Sequence, residues 1–143
     1  MDSNSVISCI KNELISFANS RLWDKLLVNY EIIDRSTRPT KYILTFNNKN
    51  DDEYYEIPFE VGVKTMHALL FLRDQILQER GKRIWGLTFT LYPDGKHEIE
   101  YDYNVPEGFN EQGEWIGEEH KNEAVSEFLD NIQKIGTDEF ELK

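Results

Sequence analysis

The sequence predicts an α+β fold, an antiparallel sheet of about five strands with helices on one side, in the order α-β-β-β-α-β-β-α. Strand-like runs follow one another directly across turn-forming stretches, instead of alternating with helices as a parallel sheet demands. Helix-periodic segments frame those runs at about Ser5 to Leu27, after Gly62, and from about Glu118 to Ile135. The 143 residues, 39% apolar and 13% aromatic, support one core and a single domain spanning 1–143. That aromatic content excludes a disordered chain even though 30% of the residues are charged.

In the first segment Val6, Ile10, Leu14, Phe17 and Ala18 recur at helical spacing, with Lys11, Asn12 and Asn19 opposite them. The runs LVNYEIID, KYILTFN and EYYEIPF alternate or are rich in branched and aromatic residues. Because RSTRPT and NKNDD separate them, they read as three strands. Pro58 lacks the amide that a central strand must donate, which places it at a strand end or on an edge. In the central helix VKTMHALLFLRDQILQERGK, the residues Met66, Leu69, Leu70, Arg73 and Leu77 form a stripe that Phe71, Leu72 and Ile76 widen. Gly81 closes that helix. IWGLTFTLYPDGKHEIEYDYN is a hairpin turning at Pro93-Asp94-Gly95-Lys96, where glycine can take positive φ. Its alternation puts Leu87, Phe89 and Leu91 on one face, and sets Thr88, Thr90 and Tyr92 beside Glu98, Glu100 and Asp102. From about residue 104, NVPEGFNEQGEWIGEEH reads as a long acidic loop broken by Pro106, Gly108, Gly113 and Gly117. The last helix turns Val125, Phe128, Leu129 and Ile132 inward and stops at Gly136.

Charge is divided unevenly. Met1 to His97 carry 13 acidic and 13 basic residues, whereas Glu98 to Lys143 carry 14 acids against Lys121, Lys134 and Lys143, so the whole net charge of −11 lies in the last third. Such a field repels nucleic acid and anionic lipid and suits a basic protein partner; it serves equally as a solubilising surface. No basic patch is concentrated enough to neutralise phosphates. His67, His97 and His120 lie too far apart for zinc, and PDGKHEIEYD lacks the spacing of a calcium loop, so neither metal nor cofactor is expected. A phosphate cradle, a nucleophile elbow and a cysteine with a histidine base are all missing from the sequence. The many carboxylates read as a solvated face and not as an acid and base pair, and the chain is not expected to be an enzyme.

A lone cysteine, Cys9, excludes a disulfide framework and favours a reducing compartment. No run approaches the ~20 apolar residues of a membrane span, and MDSNSVISCIKNELISF lacks the basic lead-in of a secretory signal. The expectation is a cytoplasmic protein, monomer or weak dimer.

A binding surface remains. Three features adjoin: the ladder Glu98, Glu100 and Asp102; the loop aromatics Phe109 and Trp115; and the cluster Glu107, Glu111, Glu114, Glu118 and Glu119. Interfaces draw much of their energy from a few buried aromatics, while rim charges speed encounter and select the partner. Trp115 either anchors such a contact or folds back over the core.

The block IWGLTFTLYPDGKHEIEYDYN, with the helix before it, resembles the YezG-like immunity proteins of bacterial polymorphic and contact-dependent toxin systems. The resemblance is specific over Ile84 to Asn104 and suggestive from about Tyr30 to Arg83, while the N-terminal helix and the tail beyond Trp115 match only in outline. It rests on Trp85, Tyr92, Asp94, Gly95, Glu100, Tyr101 and Asp102. It implies a small cytosolic antitoxin that binds and neutralises the C-terminal domain of a cognate toxin, often a nuclease and a DNase ahead of an RNase. A nuclease groove must be positive to attract phosphate, so an inhibitor with a negative face can dock there quickly and exclude the substrate. On this reading the toxin interface comprises Glu98, Glu100, Asp102, Phe109, Glu114, Trp115, Glu118 and Glu119. The basic stretch QERGKRIW departs from a uniformly acidic inhibitor. Two other readings stay open, an acidic adaptor or chaperone for another basic protein and a hydrolase working through paired carboxylates.

Overall fold

The computed structural model describes residues 2–53, 56–112 and 114–116. The chain divides into two units, Met1–Pro106 and Glu107–Lys143. The expected C-terminal helix lies outside the described residues.

Helix α1 spans Ser3–Ala18 and begins at Asp2, whose carboxylate accepts the Ser5 amide at 2.9 Å. It stops well short of Leu27. Asn19 and Ser20 take φ of 47° and 68°, and Arg21 turns back, donating through Nε to the Ala18 carbonyl at 3.0 Å and through Nη2 to that of Phe17 at 2.7 Å. Those bonds satisfy carbonyls that the helix end leaves without an amide. Strand β1, Lys25–Ile32, alternates strictly, with Leu26, Val28, Tyr30 and Ile32 buried. Strand β2, Thr37–Phe46, pairs antiparallel with it across a register shift at Asn29/Tyr30, and Pro39 sits at that bulge.

Strand β3 is Lys49–Asp51, paired to β2 only from Leu44 to Phe46. The sequence predicts the third strand on EYYEIPF and a turn on NKNDD; Tyr54 and Tyr55 lie outside the described residues, and neither Glu53 nor the stretch from Glu56 to Pro58 is in a strand. Two asparagines decide otherwise: Asn47 and Asn48 both adopt positive φ, 51° and 62°, the backbone of a tight two-residue hairpin whose twist matches its strands. Pro58 accordingly precedes a helix instead of ending a strand.

Helix α2, Phe59–Arg80, ends where Gly81, at φ 71°, returns its amide to the Leu77 carbonyl at 2.8 Å. Its buried stripe is Thr65, Ala68, Leu69, Leu72 and Ile76, rotated from the expected one, and Leu77 is 45% exposed. Strands β4, Gly86–Leu91, and β5, His97–Asp102, form the expected hairpin, with Gly95 at φ 89° in its turn. The five strands run in the order β3-β2-β1-β4-β5, all neighbours antiparallel. Both helices pack against each other and against β1, so they cover one face of the sheet. Ile10, Leu14 and Phe17 from α1, Leu69 from α2 and Leu26, Val28, Leu87 and Phe89 from the sheet close that core. Each such fully buried side chain contributes roughly 1.5–3 kcal/mol.

Candidate functional site

On β5 the alternation sends His97, Ile99 and Tyr101 toward the core side and leaves Glu98, Glu100 and Asp102 exposed on the other. Opposite these acids on β4 stand Thr90, Thr88 and Gly86. The acidic and threonine sides therefore adjoin as the hairpin alternation requires. Beyond β4, Leu27, Asn29 and Glu31 of β1 continue the rows, and Ile43, Lys41 and Arg38 of β2 complete them. The helix-free face grades from cations on β2 to three carboxylates on β5, the terminal strand of the sheet.

Hydrogen bonds tie this face together. The Thr40 hydroxyl donates to Asn29 Oδ1 at 2.6 Å, and Asn29 Nδ2 donates to Thr88 Oγ1 at 2.6 Å, one pairing step from Glu100. A concavity of about 350 Å³ lies among Asn29, Thr88, Glu100 and Asp102. At the turn end the Tyr92 hydroxyl donates to Glu98 Oε1 at 3.2 Å; desolvation first, and Glu98 second, raise the tyrosine pKa. The geometry offers a row of acceptors beside neutral donors, suited to holding a cationic side chain.

No protein-family model and no curated protein matches this chain.

In the second unit, Phe109 and Trp115 form a β-bridge, and their rings meet edge to face at 5.1 Å. Gly108, at φ 90°, lies under the indole, where a Cβ would overlap the ring. Asn110 organises the turn between them, its Oδ1 accepting the Gln112 and Glu114 amides at 2.9 Å each while its Nδ2 donates to Glu114 Oε1 at 3.3 Å. Trp115 remains 44% exposed and Glu114 is exposed. Glu118 and Glu119 lie outside the described residues. The structure thus brings Glu98, Glu100 and Asp102 together on one strand, and Phe109, Glu114 and Trp115 together in one loop.

The two arginines of QERGKRIW are occupied within the fold. Arg80 Nη1 donates to the Tyr103 hydroxyl at 2.9 Å and its guanidinium stacks over Tyr101. Arg83 lies 3.6 Å over the Trp85 ring, and both Arg83 and Arg73 donate to the Ile33 carbonyl at the end of β1. Burial, and after it the charge of Arg73, lowers the Arg83 pKa. Among the described residues no group of three or more His, Cys, Asp and Glu is placed to hold a metal ion, and no helix is long and apolar enough to cross a membrane.

One acid escaped the sequence reading. Glu13, on α1, is 3% exposed and accepts hydrogen bonds at Oε2 from the hydroxyls of Tyr30 and of Tyr42, the latter at 3.0 Å. Burial raises its pKa, against the opposing bonds from Tyr30, Tyr42 and Thr65. The signal was its register: residues 10, 13, 14 and 17 share one helix face, so a carboxylate stood in the apolar stripe.

Proposed function

We propose that this chain is an immunity protein that binds a cognate bacterial toxin domain with a cationic surface, a nuclease and most simply a DNase, and neutralises it in the cytoplasm. The observation that carries the reading is the exposed carboxylate row Glu98, Glu100 and Asp102 on the terminal strand of the sheet, with Arg38 and Lys41 of the same face lying away from it on β2. Like charges on one strand face repel in the isolated protein, and a positively charged partner relieves that repulsion. The half-exposed Trp115, held on Phe109, supplies the kind of rigid aromatic from which interfaces draw their energy. The resemblance of Ile84 to Asn104 to YezG-like immunity proteins points the same way.

Long-range attraction fades beyond the ~10 Å screening length at 0.1 M salt, so capture of the toxin slows as salt rises while release changes less. The decisive experiment co-expresses the chain with the toxin gene adjacent to its own and counts survivors. Growth of cells holding both, with killing by the toxin alone, is the expected outcome. Death of cells that hold both, despite abundant soluble immunity protein, would overturn the proposal.

A further inference from the structure

The apolar hollow beside Glu13 belongs to no part of the acidic face. It has a volume of about 290 Å³, near the ~300 Å³ lower bound for small-molecule pockets. Its walls are Ile57, Val63 and Met66, its floor carries Glu13 with Tyr30, Tyr42 and Thr65, and Phe59, 87% exposed, stands at the rim. The floor is a built polar site: a carboxyl almost removed from water, held by the phenolic hydroxyls of Tyr30 and Tyr42. Glu13 takes part in none of the ion pairs among the described residues. A buried carboxylate attracts a cation strongly, because the interior screens the pair far less than water does. Apolar walls reject a bare hydrated ion and favour a hydrocarbon body.

We propose that this hollow is a binding site for a small organic ammonium, a primary amine carried on a short apolar or aromatic body, with the ammonium on Glu13 and the body between Val63, Met66 and Ile57. The proposal is independent of the toxin reading. A neutral alcohol of the same shape keeps the apolar contacts and loses the charge-assisted bond, so the amine should bind about tenfold tighter or better.

The test uses the full chain at neutral pH, titrated with phenethylamine hydrochloride and, separately, with 2-phenylethanol, following NMR shifts of Thr65, Val63 and Met66. Saturable shifts, an amine preference of about tenfold, and loss of that preference in Glu13→Gln are expected. Val63→Trp, which fills the hollow without touching Glu13, should abolish binding of both probes. The proposal is overturned by shifts that do not saturate, by equal affinity for amine and alcohol, or by an amine preference that persists in Glu13→Gln. Should Glu13→Gln fail to fold, the amine and alcohol comparison in the parent chain and in Val63→Trp decides the matter by itself.

Discussion

Glu13 couples the core to pH. Its pKa in the folded chain stands above the ordinary 4.5 because burial disfavours the ionised carboxyl, and the hydroxyls of Tyr30, Tyr42 and Thr65 offset only part of that. The folded state therefore holds the proton more tightly than the unfolded state, and stability falls as pH rises from the ordinary value through the folded one. Glu13→Gln carries no such proton, so its stability relative to the parent should climb as pH rises above the ordinary carboxyl value of 4.5, as read by urea denaturation. Parallel curves for the two proteins would show that another group titrates. Gly86 makes a steric point at the same scale, since a Cβ there would lie 2.6 Å from the Tyr30 carbonyl oxygen, a backbone atom with no freedom to withdraw. Gly86→Ala should destabilise by about 1–3 kcal/mol, and an unchanged denaturation midpoint would mean that β1 and β4 can separate without loss. Trp115→Ala should quicken toxin release while leaving the melting temperature in place; a fallen melting temperature with unchanged release would return the residue to a packing role.

Among the elements, α1 is limited by Arg21 and not by its own hydrophobic period. The guanidinium closes the Phe17 and Ala18 carbonyls and reaches Asp51 on β3 at 2.8 Å, tying the helix end to the far edge of the sheet. Arg21→Ala removes these bonds together and should lower stability by about 1–2 kcal/mol, most visibly as faster amide exchange in the last turn of α1 and in β3. Exchange confined to global unfolding would refute that local coupling. The β4-β5 hairpin was readable because its two signals agreed: strict alternation on both strands and Pro-Asp-Gly between them. For β3 the signals competed, since EYYEIPF has the stronger strand composition and NKNDD the turn composition, and backbone geometry at Asn47 and Asn48 won. In α2 several registers of large apolar residues were available. Packing against α1 and β1 selected the one through Thr65, Ala68 and Leu69, whose small members let the helices approach.

For the molecule as a whole, the functional reading depends on where charge is displayed. Reversing Glu98, Glu100 and Asp102 to lysine together should leave a cooperative fold, because all three are exposed, and should slow toxin association about tenfold at low salt. Stopped-flow rates that match the parent's would remove this strand from the contact. The uneven charge of the chain was visible in its residue counts. Its arrangement in space was not, for Arg38 and Lys41 come to share a face with the carboxylates only through the pairing of β2 with β1 and of β1 with β4.

The sequence alone determined the α+β class, the strand and helix order through β5, the β4-β5 hairpin, and which side of β5 is acidic. These follow from local periodicity and turn chemistry, which act between residues near in the chain. Only the tertiary structure decided the β3-β2-β1-β4-β5 order, the face that α2 buries, and the enclosure of Glu13 beneath Tyr30 and Tyr42. Those outcomes turn on contacts between residues far apart in sequence, where volume, hydrogen-bond satisfaction and desolvation are settled by which surfaces meet.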